Sequence, residues 1–417
     1  MELDDTPSET VPGTTFASAV TSGHDELQIN VGVLVAPSPR TDRDQLYEFA
    51  RQMVEDATAE LHAATDIAWQ FVAEESVHLP DNGARRPSQF LDEAMERITE
   101  GPYDIIVVAT DVPLLSQTRR SVPGLASSVS RVAIVSTRTL LTGPRDAPVR
   151  SMDDPAVRWN AGALLLHLLG HVLGARHGEA DGGVMEPFEF DRTRRETPRF
   201  DADTEAYLHR IAAELPETGS SRGRFGRLAL HIRSAVRNPG QIVDALRNSQ
   251  PFRFPLSLPK LATTAITPTL VIIFSAESWD VALHLSNATA TLFAVVSIVA
   301  AAVHLMFVQN LSFPRRQQQA ITEHMALMNV IVFATLVAAM VGLFVLVASV
   351  MLVIEFAIFP PQLMADWPSL EDPTVSVVDR IRTAAFISTL GMLSGALAGG
   401  LEDRAILRHL ALFHREP

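Results

Sequence analysis

A chain of 417 residues is long enough for two or three domains, and its formal net charge of -14 argues against nucleic acid as the main partner, because phosphate binding needs clustered cations. It contains no cysteine, which excludes disulfides, thiolate metal ligands and thiol nucleophiles. The mean hydropathy of +0.16 averages two unlike parts: a mixed, charged one up to about residue 250, and a series of apolar runs from about 258 to 402.

Residues 1–26 are acidic and rich in Ser, Thr and Pro, without a basic segment leading into an apolar one. They read as a disordered tail and not as a secretory signal. From residue 27 to 214 the pattern is that of an α/β (α+β) domain. "LQINVGVLVA" is an apolar β-rich run closed by Pro37 and Pro39, and a helix follows with Thr41 or Asp42 as its cap. Then come a strand at "IAWQFVAEE", a helix at "PSQFLDEAMERITEG", and strands at "YDIIVVAT" and "RVAIVST". Strands alternating with helices predict a mainly parallel sheet. A further helix starts after "SMDDP", where Asp153 or Asp154 caps and Pro155 suits the first turn.

That helix carries the candidate site, "HLLGHVLGARHGEADGGVM". Residues four apart on a helix are about 40° apart around its axis, so His167 and His171 share a face and can grip one metal ion. Gly174 can take the left-handed conformation that ends a helix, and the chain can then return His177 as a third ligand. Three histidines leave the fourth tetrahedral position open, as in catalytic zinc sites. The alternative is a buried apolar helix whose histidines are satisfied core residues, since "ALLLHLLGHVLGA" is apolar nearly all round.

His167, His171, Gly174 and His177 resemble the metzincin zinc signature His-Glu-x2-His-x2-Gly-x2-His. Met185, eight residues past His177 and two before Pro187, is similar to the Met-turn of the matrixin branch. The resemblance implies a zinc-peptidase fold, zinc as cofactor, a peptide or protein segment as ligand, and Met185 as the floor of the site. It also implies that "RVAIVST" corresponds to the edge strand along which substrates lie. At the position of the family's general-base glutamate stands Leu168, which can neither orient nor deprotonate a water. Glu179 and Glu186 flank the site in sequence as possible substitutes, although surface carboxylates are the plainer reading of both.

The C-terminal part predicts an all-α transmembrane domain of four helices within residues 256–402. Its spans are "LPKLATTAITPTLVIIF", interrupted by Pro268, "ATATLFAVVSIVAAAVHLMFV", the long "ALMNVIVFATLVAAMVGLFVLVASVMLVIEFAIF" and "TAAFISTLGMLSGALAGGL". Residues 215–255 read as a basic linker, with "RLALHIRSAVRN" suited to an anionic membrane surface or to a plain solvated connector. Residues 403–417 read as a tail. Arg222, Arg224, Arg227, Arg233, Arg237, Arg247, Arg253 and Lys260 precede the first span, Arg315 and Arg316 lie between spans two and three, and Arg404, Arg408 and Arg415 follow the fourth. The positive-inside rule then puts both termini and the histidine domain in the cytoplasm of a multi-pass protein of the cell membrane. Gly391, Gly395 and Gly399 form overlapping Gly-x3-Gly steps for helix packing within the chain or between copies. The leading expectation is a membrane-anchored zinc-binding pseudopeptidase. An active metallopeptidase with an unconventional base, and a membrane scaffold or transporter with no metal site, remain as alternatives.

Overall fold

The computed structural model describes residues 15–18, 28–75, 78–116, 120–142, 149–178, 183–192, 199–212, 220–221, 224–312, 321–359, 376–398, 406, 408–409 and 412–413. The chain forms two compact units, residues 1–218 with 415–417 and residues 219–414.

The first unit is built on a six-stranded sheet in the order β1-β3-β2-β4-β8-β7. Its strands are β1 (Thr15–Ser18), β2 (Gln28–Ala36), β3 (Ala68–Glu75), β4 (Ile105–Thr110), β7 (Gly124–Ser127) and β8 (Val132–Ser136), with a small hairpin of β5 (Leu114–Leu115) and β6 (Ser121–Val122) beside it. The four middle strands are parallel, as the alternation of strands and helices predicts, and both edge strands are antiparallel. Two expectations are corrected here. Thr15–Ser18, inside the supposed disordered tail, pairs with β3 and uses the backbone groups that an edge strand would leave open. The edge strand is not "RVAIVST" but β7, which lies outside it.

Val31, Val33 and Val35 of β2 alternate toward one face of the sheet, where α1 (Arg43–Thr65) and α4 (Pro155–Val172) bury Leu46, Phe49, Met53, Leu164, Leu165 and Leu168 with them. Asp42 caps α1 by accepting from the Asp44 amide, and Asp154 caps α4 by accepting from Ala156, with Pro155 in the first turn. The two helices are tied by a two-pronged pair in which Arg158 Nε and Nη2 donate to Asp56 at 2.7 and 2.8 Å. The unit also contains α2 (Leu91–Glu100), α3 (Thr137–Leu141) and α5 (Ala202–Ala212).

The second unit is helical: α6 (Arg224–Arg237), α7 (Pro239–Ser249), α8 (Phe254–Ser257), α9 (Pro259–Ile272), α10 (Ala276–His284), α11 (Asn287–Val308), α12 (Glu323–Ile358) and α13 (Val377–Leu397), plus a short ribbon of β9 (Ser220–Ser221) and β10 (Ile321–Thr322). Among the described residues two helices, α11 and α12, are long and apolar enough to cross a membrane, or three spans if α9 and α10, bent by 93° at their junction, count as one. The fourth expected span falls within α13, which carries Asp379, Arg380 and Arg382 in its first two turns and is not among these helices; residues 399–401 of that span lie outside the described residues. Pro268 stays inside α9, and the break comes later, at residues 273–275. Gly391 and Gly395 face α9, where a Cβ would lie 2.7 Å from Ala265 O and 3.1 Å from Leu261 O respectively, so these glycines serve packing within the chain. Gly399, Arg315, Arg316, Arg404 and Arg415 lie outside the described residues. Arg408, in the supposed tail, is buried and donates to Asn310 O at 2.8 Å.

Candidate metal centre

The site begins with a helix that ends where the glycine requires it. The last turn of α4 closes through Gly174 N–H to His171 O at 3.0 Å and Ala175 N–H to Gly170 O at 2.9 Å. Gly174 takes φ +94°, and a Cβ there would lie 2.8 Å from the Tyr207 hydroxyl. Both the left-handed backbone and the crowding by Tyr207 exclude a side chain, and the reversal brings His177 back over the helix.

His167, His171 and His177 converge. Their ligand atoms all lie within 4.8 Å of one another. The ring centroids are 4.5, 5.3 and 4.8 Å apart for the 167–171, 167–177 and 171–177 pairs. His171 Nε2 stands 3.1 Å from His177 Nε2, close to the roughly 3.3 Å edge of a tetrahedron with metal–nitrogen bonds of about 2.0–2.1 Å. His167 and His171 are 1% and 2% exposed, whereas His177 is exposed.

Hydrogen bonds orient the two buried rings. His167 Nδ1 lies 2.7 Å from Val184 O and His171 Nδ1 lies 2.9 Å from Ala175 O. A carbonyl can only accept, so each Nδ1 carries the proton and each Nε2 presents a lone pair toward the cluster. His167 Nε2 is buried with no hydrogen-bond partner. Burial lowers the His167 pKa to about 4, with a smaller contribution from His177, so its ring is neutral at pH 7 and competent as a ligand. An orphaned, buried imidazole nitrogen costs free energy unless something electrophilic meets it. The donor set therefore fits a zinc ion.

The segment 183–186 lies against α4. Gly178 N–H donates to Met185 O at 3.1 Å, and Met185 is wholly buried. A Cβ on Gly170 would be 2.5 Å from Met185 Sδ, so the methionine packs onto the bare backbone of α4 between the two helical histidines. Ala175 O is a local partner, four residues past His171, but nothing local in the sequence marks the contacts of His167 with Val184 O, Gly170 with Met185 or Gly174 with Tyr207, which join residues well separated along the chain.

Leu168 is 0% exposed. A Cβ on Gly124 of the edge strand β7 would lie 2.6 Å from Leu168 Cδ1, which places this side chain between α4 and β7. Glu186 is half-buried and is not a member of the group of possible metal ligands, which among the described residues holds histidines alone. Glu179 lies outside the described residues.

No protein-family model matches the chain, and no curated protein does. Solved structures do. An archaemetzincin from Methanopyrus kandleri is 21% identical over 45% of this chain and 96% of its own, with a TM-score of 0.34. A zinc-dependent peptidase from Methanocorpusculum labreanum is 20% identical over 43% and 99%, with a TM-score of 0.32. A third, an archaemetzincin from Archaeoglobus fulgidus complexed with malonate, is 14% identical over 43% and 99%, with a TM-score of 0.27. Scores this low decide nothing about chemistry; the histidine geometry does.

Proposed function

We propose that the first unit is a metzincin-like zinc-binding domain that holds a peptide or protein segment without efficient hydrolysis, and that the second unit anchors it to a membrane. The observation that carries this reading is Leu168, fully buried against Gly124 beside three convergent imidazoles. His167, His171 and His177 would hold the ion, Met185 would support them, and the zinc would supply a Lewis acid able to polarise a carbonyl. Among the described residues no carboxylate joins the three histidines to take the proton from water. General-base assistance contributes about 10² to 10⁴ in rate, and a leucine contributes none of it. The edge strand β7 offers backbone groups to an extended segment, so binding by strand addition is compatible with loss of turnover.

The test uses purified full-length protein loaded with zinc and incubated with a peptide mixture, with and without chelator. We expect no chelator-sensitive cleavage. Chelator-sensitive turnover would replace this reading with that of an active peptidase, and Glu186→Gln and Glu179→Gln would then identify its base.

Arginines before the first span, with Arg408, mark the cytoplasmic side, which with the four expected spans puts the histidine unit and the C-terminus there. A reporter fused after residue 417 should be active only if it suits the cytoplasm, and one inserted between residues 363 and 372 only if it suits the exterior. The reverse pattern would place the zinc site outside the cell.

A further inference from the structure

The long helix α12 is more than a membrane needs. Its 36 residues span about 54 Å, against a hydrocarbon core of about 30 Å. The excess is covered by other helices. From Glu323 to Phe344 no residue of α12 is exposed, and the exposed ones are Val345, Ser349, Val353, Phe356, Ala357 and Ile358. The sheath consists of α6, α7, the Pro251–Arg253 turn and α8, which all pack on α12. Ser234 Oγ donates to Glu323 O at 3.3 Å near the start of the helix. At the other end of the sheath, Gly342 admits the Phe252 backbone so closely that a Cβ would lie 2.9 Å from Phe252 O.

The outward side of this sheath is apolar and cationic together. Ile232, Val236, Val243, Phe252 and Leu256 are each more than half exposed. Arg233 and Arg237 lie one position beyond Ile232 and Val236, Arg247 lies one turn beyond Val243, and Arg253 and Lys260 border Phe252 and Leu256; all five cations are exposed. The acidic groups on these elements are fewer: Asp244 on α7, and Glu323 of α12, which stands 3.7 Å from Arg237. Large apolar side chains do not stay in water beside arginines without a reason. A bilayer surface satisfies both, with the apolar groups in the acyl boundary and the cations among phosphates.

We infer that α6, α7 and α8 form a collar lying in the anionic headgroup layer, with the membrane boundary crossing α12 near Gly342. This inference rests on the reading of α11 and α12 as spans and adds where along α12 the bilayer begins. It accounts for the length of α12: the part before Gly342 stands in the collar, and residues 342–358, about 17 residues and about 25 Å, face lipid at the short end of the spanning range. α9 begins at Pro259, directly after the collar in the chain.

The absence of cysteine makes the test direct. Single-cysteine variants Ile232→Cys, Phe252→Cys and Val296→Cys of the full chain carry an environment-sensitive dye. They are reconstituted in phosphatidylcholine vesicles with or without phosphatidylglycerol, and quenched by nitroxides at the headgroup or deep in the acyl chain. Val296 should be quenched by the deep label. Ile232 and Phe252 should be quenched by the headgroup label, at least about twofold more in anionic vesicles, and Arg233→Gln with Arg237→Gln should remove that gain at Ile232. If Val296 escapes the deep label, the membrane reading itself fails. If Val296 is quenched while Ile232 and Phe252 are not, and both react freely with a water-soluble maleimide, the collar is overturned. Disulfide cross-linking between copies at Ile232 would overturn it too, assigning the face to a second copy of the chain.

Discussion

Replacing His177 with alanine is expected to lower the zinc affinity of the protein at least about 100-fold, more than the 10–100-fold typical of losing an outer-shell partner. The parent should bind about one zinc per chain. His177 is the decisive position because it is exposed, whereas His167 and His171 are embedded in the core of the first unit. Alanine at 167 or 171 would open a void and free the Val184 or Ala175 carbonyl, so lost zinc there could follow from lost structure. At 177 the metal-free thermal midpoint should stay where it was while the zinc-induced rise in that midpoint disappears. Metal analysis and calorimetry on the same samples check this. If His177→Ala and His171→Ala both retain full zinc, the ion is held elsewhere and the site is an ordinary cluster of core histidines.

The second expected result concerns Leu168→Glu. The rest of the arrangement is in place: three convergent imidazoles, a glycine that turns the chain, and a buried methionine packed on Gly170. A glutamate at 168 sits about 100° around the helix from His167 and could reach the open coordination position. We expect peptide hydrolysis to rise by at least about 10², the lower end of general-base assistance. The shape-matched Leu168→Gln, which cannot take a proton, should stay inert. Both variants should lower the metal-free thermal midpoint, because Leu168 is fully buried against Gly124 and a polar group there has no partner. In the glutamate variant zinc should recover more of that loss than in the parent, since the cation faces the new carboxylate. If Leu168→Glu keeps zinc and fold yet remains inert, the cleft between α4 and β7 is closed to substrate and the resemblance says nothing about past or present catalysis.

The periodicities alone determined a good deal of this protein. The strands at "INVGVLVA", "IIVVAT" and "VAIVS", the helix capped by Asp42 and the helix entered through Asp154 and Pro155 are local events, fixed by alternation, by caps and by proline geometry. The convergence of His167 and His171 is equally local, since one turn of helix separates them. His177 was legible through Gly174, because only glycine sits easily at φ +94° under a tyrosine hydroxyl. Strand order was not legible. β7 takes the sheet edge in place of "RVAIVST", and four residues, Gly124–Ser127, carry no periodic signal long enough to be read as a strand. Burial along α12 was not legible either. Hydropathy sums side chains without asking what covers them, so it could not tell the exposed end of α12 from the end that α6, α7 and α8 sheathe. Tertiary packing decided this, as it decided that Leu168 points into the gap beside Gly124, because burial depends on neighbours that are distant in the chain.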